Sequence, residues 1–100
     1  MNILEKHIEE INKLCLRHNV KQLYAFGSVL TDKFNDESDI DLIVDFKPID
    51  LAQYANNYYD LKFSLEDVLQ KPVDLLEEKA IKNPYFKQVV TNQKHLVYGH

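Results

Sequence analysis

The chain has 100 residues, 12 basic and 16 acidic, and a formal net charge of −4. That length supports one core and no separate recognition domain, so residues 1–100 read as a single domain, and the acidic balance argues against a nucleic-acid partner held through its phosphates. One cysteine, Cys15, excludes a disulfide or cysteine-rich metal framework, and the lack of a long apolar run, signal peptide or lipidation pattern points to a cytoplasmic protein without a membrane span.

From Ile3 to about Arg17, Leu4, Ile8, Ile11 and Cys15 recur at three- and four-residue intervals with Ile3 and Leu14 beside them, and Glu5, Lys6, Glu9 and Lys13 fill the opposite face. This is an amphipathic helix with Cys15 as a small core residue. His18-Asn19 breaks the pattern, and residues 20–26 (VKQLYAF) read as a strand running into Gly27-Ser28. A short helix over Ser28–Lys33 and a polar loop over Asn35–Ser38 are expected next.

Residues 39–46 (DIDLIVDF) form a second strand closed by Pro48. Asp50 caps a long helix whose stripe is Leu51, Tyr54, Ala55, Tyr58, Leu61, Leu65, Val68 and Leu69, with Pro72 as its stop. Tyr59 and Phe63 fall outside that stripe, one turn apart, and are expected at the surface, packed under the C-terminal segment or in a partner interface. Residues 73–77 (VDLLE) make a third strand, Ala80 to about Thr91 a helix interrupted or started at Asn83-Pro84, and His95–Tyr98 an edge strand. The alternation predicts an α/β (α+β) fold, a small mixed sheet of three or four strands covered by helices. His7, His18, His95 and His100 read as scattered surface histidines, and Asp36-Glu37 and Glu77-Glu78 as solvated charge.

The chemistry concentrates between Gly27 and Asp45. On a strand, Asp39 and Asp41 point to one side about 7 Å apart, and at an effective dielectric near 20 they repel by roughly 2 kcal/mol. A cation between them reverses that sign. The bland alternative is a solvated edge strand, but Ile43 on the same face argues against simple alternation. Gly27-Ser28 after a strand permits close backbone approach to a phosphate, although a bare Gly-Ser is also an ordinary turn. Gly-Ser, ten residues, then Asp-x-Asp arises by chance in about one chain of this length per thousand. A phosphate cradle beside paired carboxylates suits Mg²⁺-assisted nucleotidyl transfer, in which two ions hold the attacking and leaving oxygens. Asp74, alone among apolar neighbours in VDLL, is the third carboxylate, able to ligate metal and accept the proton of the attacking hydroxyl. Asp45, one step further along the same face, reads as structural.

Gly27-Ser28, Asp39-x-Asp41 and the later Asp74 resemble the nucleotidyltransferase superfamily typified by DNA polymerase β and kanamycin nucleotidyltransferase. The chain is most similar to its minimal members, the MNT-type proteins encoded beside HEPN-domain toxins in bacteria and archaea. The resemblance extends over most of the chain and implies transfer of AMP from ATP to a tyrosine hydroxyl of a partner HEPN ribonuclease toxin, which silences it. It implies that Gly27 and Ser28 hold the triphosphate, that Asp39 and Asp41 bind two Mg²⁺ ions, and that Asp74 is third ligand and base. Many relatives carry Arg-Gly three residues after the motif serine, where this chain has Thr31-Asp32. That departure motivates a competing reading, an antitoxin acting by binding alone. An antibiotic-modifying nucleotidyltransferase is a third, disfavoured because no second domain shapes a drug pocket. Base preference and oligomeric state, homo- or hetero-oligomer, stay open.

Overall fold

The computed structural model describes residues 2–99, so His100 lies outside the described residues. Helix α1 (Ile3–Lys6) and helix α2 (Ile8–Arg17) divide what the periodicity reads as one helix. The division falls at His7, whose φ of −114° and ψ of 22° leave the helical well. Leu4, Ile11, Leu14 and Cys15 nevertheless reach one shared core, because the apolar spacing survives the break. Helix α2 gives way at His18-Asn19, where Asn19 takes a left-handed φ of 59°, a conformation that asparagine tolerates better than most residues.

His18 corrects the expectation of a surface histidine, being only 4% exposed. Its Nδ1 lies 2.7 Å from the Leu14 carbonyl oxygen and its Nε2 lies 2.8 Å from the Asp60 carboxylate. An imidazole can be buried there because both ring nitrogens find partners.

The chain then runs through strand β1 (Val20–Phe26), strand β2 (Ile40–Phe46), helix α3 (Leu51–Leu69), strand β3 (Val73–Glu77), helix α4 (Pro84–Gln93) and strand β4 (His95–Tyr98). The sheet has four strands in the order β3-β2-β1-β4. β1 is antiparallel to β2 and to β4, whereas β2 and β3 are parallel. A parallel neighbour requires a crossover, and α3 supplies it.

Asp50 caps α3 by accepting from the Ala52 N–H. The helix ends at Leu69 on a left-handed Gln70 with φ of 54°, two residues before the proline expected to stop it. Leu61, Leu65 and Leu69 are buried, with Tyr54, Tyr58 and Val68 packed beside them. Leu51 is 87% exposed, so the stripe begins a turn later than its spacing implies. Tyr59 and Phe63 are exposed and stack with ring centroids 6.0 Å apart.

Alternation along β2 sends Ile40, Leu42, Val44 and Phe46 into the core with the α2 and α3 side chains. Asp41, Ile43 and Asp45 face the other way. Helix α4 covers part of that second face: Phe86 packs edge-on to Phe26 at 6.0 Å, and the Lys94 ammonium lies 4.1 Å from the Tyr24 ring centroid. Asn83 starts α4 by accepting from the Tyr85 and Phe86 N–H groups, with Pro84 in the first turn. Of the two expectations for this stretch, the helix starts at Asn83-Pro84, and the chain ahead of it is a 3-10 turn over Glu78–Ala80 followed by non-helical residues 81–83.

Candidate active site

Phe26, the last residue of β1, is paired with Asp41 on β2. Gly27 then turns with φ of 80°, which glycine adopts at no steric cost. A Cβ at this position would lie 2.7 Å from Asp41 Oδ2. The missing side chain is therefore what lets the Asp41 carboxylate rest against the turn. Gly27–Leu30 form a 3-10 turn rather than the expected helix over Ser28–Lys33. Thr31 closes it, its N–H and hydroxyl both donating to the Ser28 carbonyl at 2.9 and 3.0 Å.

Asp39 is exposed and sits one residue ahead of β2, so the strand starts at Ile40 rather than at position 39. Asp41 is half-buried inside the strand. The parallel register places Asp74 of β3 directly beside Asp41, and strand spacing sets their backbones about 4.8 Å apart. Val73 and Leu75 are buried while Asp74 is exposed, so Asp74 shares the outward face with Asp41. Burial first, then the charges of Asp74 and of Asp39, push the Asp41 carboxyl above the ordinary carboxylate range. Asp41 thus feels both of the other carboxylates.

Among the described residues, the ion pairs join His18 to Asp60, Lys79 to Asp45 and Lys94 to Glu78, and none reaches Asp39, Asp41 or Asp74. Nor do three ligand-type side chains among the described residues already close on one point as a metal cluster. The donor set still suits a hard divalent cation. It is all carboxylate oxygen, presented from adjacent backbone positions, with a mutual repulsion that a cation would reverse.

Several neighbours escape the sequence pattern. Tyr58 donates its hydroxyl to the Leu75 carbonyl, and burial, then Tyr59, Asp74 and Glu77, push that phenol up. Tyr54 donates to the Glu77 carboxylate, so Glu77 is engaged rather than solvated, and Glu78 pairs with Lys94 at 3.3 Å. The available signal was that tyrosines in a buried stripe need partners for their hydroxyls. Asp45 faces Lys79 at 3.9 Å. Lys71, between α3 and β3, touches the loop leading to Asp39, and no periodicity marks it.

Residues 9–100 match the model of the Polymerase beta nucleotidyltransferase family. The chain belongs to this family. A Methanocaldococcus jannaschii relative, provisionally named a protein adenylyltransferase, is 33% identical over 97 residues, covering 96% of this chain and 90% of its own. A solved structure, provisionally described as a minimal nucleotidyltransferase, superposes with a TM-score of 0.77 at 28% identity, covering 95% of both chains. A third similarity, to a Shewanella oneidensis structure of a tri-AMPylated HEPN toxin in complex with an MNT antitoxin, has a TM-score of 0.65 at 23% identity and covers 97% of this chain and 73% of that one. At that identity it shows a shared nucleotidyltransferase fold. Among the described residues no helix is long and apolar enough to cross a membrane.

Proposed function

We propose that this nucleotidyltransferase transfers AMP from ATP to a tyrosine hydroxyl of a partner HEPN-domain toxin in the cytoplasm, and so acts as its antitoxin. The observation that carries the reading is the β2–β3 register, which sets Asp74 beside Asp41 while Gly27 leaves room for the Asp41 carboxylate. The adenylyltransferase name of the Methanocaldococcus relative and the AMPylated toxin bound to an MNT antitoxin support the donor and the acceptor.

Asp39, Asp41 and Asp74 would hold two Mg²⁺ ions, which when bound neutralise charge on the phosphates and on the attacking and leaving oxygens. Gly27 and Ser28 bind the triphosphate at the β1 end of the site. Asp74, exposed on the edge strand, accepts the proton of the tyrosine hydroxyl. As that oxygen bonds to the α-phosphorus, the bond to the β-phosphate oxygen breaks and pyrophosphate leaves.

Thr31 favours one competing reading. Its hydroxyl is committed to the Ser28 carbonyl, so position 31 shapes the turn and brings no cation to the phosphates, as an antitoxin acting by occlusion would permit. One experiment separates the two. A HEPN-domain partner that binds this chain is incubated with ATP, Mg²⁺ and the antitoxin, and the toxin is weighed by intact mass spectrometry. Adenylate mass on a toxin tyrosine, abolished by Asp41→Asn, is expected. An unmodified toxin, with the Asp39/Asp41 double variant protecting cells as well as wild type, would leave occlusion as the function.

A further inference from the structure

Asp39 is the one member of the carboxylate trio outside any strand, so something other than the sheet ladder must hold it. The loop before it bonds to itself: the Ser38 N–H donates to the Asn35 carbonyl at 3.0 Å, the Asn35 N–H to Ser38 Oγ at 3.1 Å, and the Glu37 N–H to Asn35 Oδ1 at 2.8 Å. These bonds make a compact turn but do not attach it to the rest of the fold. Phe34 does so by packing against the core, and Lys71, just ahead of β3, does so by hydrogen bonds. Its Nζ donates to the Asn35 carbonyl at 3.1 Å and to the Asp36 carbonyl at 3.0 Å, and lies 4.9 Å from the Phe34 ring centroid. The next residue, Pro72, accepts from the Ile40 N–H at 3.0 Å. Asp39 is therefore bracketed, with a Lys71-held turn on one side and a Pro72-held strand start on the other. Three residues after Lys71 comes Asp74 itself.

We propose that Lys71 is a positioning residue for the carboxylate site, tying the Phe34–Asp36 segment to the entry of β3 so that Asp39 stands at a set distance from Asp41 and Asp74. The inference rests on the assignment of those carboxylates to metal under the proposed function. An ammonium between two carbonyls and an aromatic face is well suited to the task, because each contact is favourable to the cation and none competes with the carboxylates for it. A residue supporting ligands from behind typically changes metal affinity by about 10- to 100-fold when removed.

The test uses the full chain with Mn²⁺ as the probe, free ion being counted by electron paramagnetic resonance, and amide exchange read by NMR. Lys71→Met keeps the alkyl stem and removes the donors, while Lys71→Arg restores donors and a ring-stacking cation. Folding is checked by circular dichroism. Lys71→Met is expected to weaken Mn²⁺ binding about tenfold and to speed exchange at Ser38, with Lys71→Arg close to wild type in both. In AMP transfer, the Lys71→Met loss should shrink as metal is raised while KM for the toxin stays put. Mn²⁺ binding and Ser38 exchange both at the wild-type level in folded Lys71→Met would overturn the inference alone. If Lys71→Met does not fold, Lys71→Gln takes its place under the same criterion. Absence of wild-type Mn²⁺ binding would overturn the metal assignment and this inference with it.

Discussion

Replacing Asp74 by asparagine should make the metal-free protein more stable while abolishing AMP transfer. The register sets Asp74 beside Asp41, about 5 Å away at the strand spacing. Two carboxylates at that distance repel by about 3 kcal/mol at an effective dielectric of 20 and by about 0.8 kcal/mol in water. Asp74 is exposed and Asp41 half-buried, so solvent screening brings the relief toward the lower figure, about 1 kcal/mol. In a domain of this size that is a rise in Tm of about 4–8 °C. The pH dependence has a definite sign. The Asp41 carboxyl is raised by burial, Asp74 and Asp39, so the folded chain holds a proton that the unfolded chain has already released. Stability at this site therefore falls as pH rises. The penalty is absent below the ordinary carboxylate value and complete once pH passes the raised one. Thermal unfolding in EDTA between pH 4 and pH 8 should show the wild type losing stability with a steeper slope than Asp74→Asn, and added Mg²⁺ should stabilise the wild type more than the variant. An Asp74→Asn protein that melts no higher than wild type in EDTA, with the same pH slope, would refute the electrostatic argument.

Gly27→Ala meets two penalties, the left-handed φ of 80° and a Cβ 2.7 Å from Asp41 Oδ2; urea unfolding should show a loss of about 1–3 kcal/mol, and AMP transfer should fall with it. His18→Ala removes a buried ring together with its contacts to the Leu14 carbonyl and the Asp60 carboxylate, at about 2–3 kcal/mol, whereas Asp60→Ala should cost about 1 kcal/mol because the Asp60 side chain is largely exposed to water; equal losses in chemical denaturation would contradict this reading. Burial pushes the Cys15 thiol up to about 12, so a disulfide reagent at pH 8 should modify it only as fast as the protein opens, with the full rate appearing in denaturant.

Much of the candidate site could be read from the chain because its parts are local. Gly27-Ser28 follows a strand of obvious period, Asp39 and Asp41 are two residues apart, and Asp74 stands out as the one polar residue in VDLL. Other features could not be read that way. The start of β2 at Ile40 depends on a bond from its N–H to the Pro72 carbonyl, a partner supplied by a distant segment. The burial of His18 depends on Asp60, forty-two positions away. Leu51 fits the helical period of α3 and is still exposed, since period tells which face a residue occupies and not whether anything lies opposite.

The sequence by itself determined the alternation of helices and strands, the family resemblance and the identities of the carboxylates, because these follow from spacing along one chain. Only the tertiary structure decided how the carboxylates meet. A strand places its own side chains with a period of two but says nothing of its neighbour's register, and it is the parallel pairing of β2 with β3 that sets Asp74 beside Asp41. The same pairing brings Lys71 and Pro72 against the loop that carries Asp39. Repulsion among like charges is thus held in place by hydrogen bonds and apolar burial elsewhere, which no single segment contains.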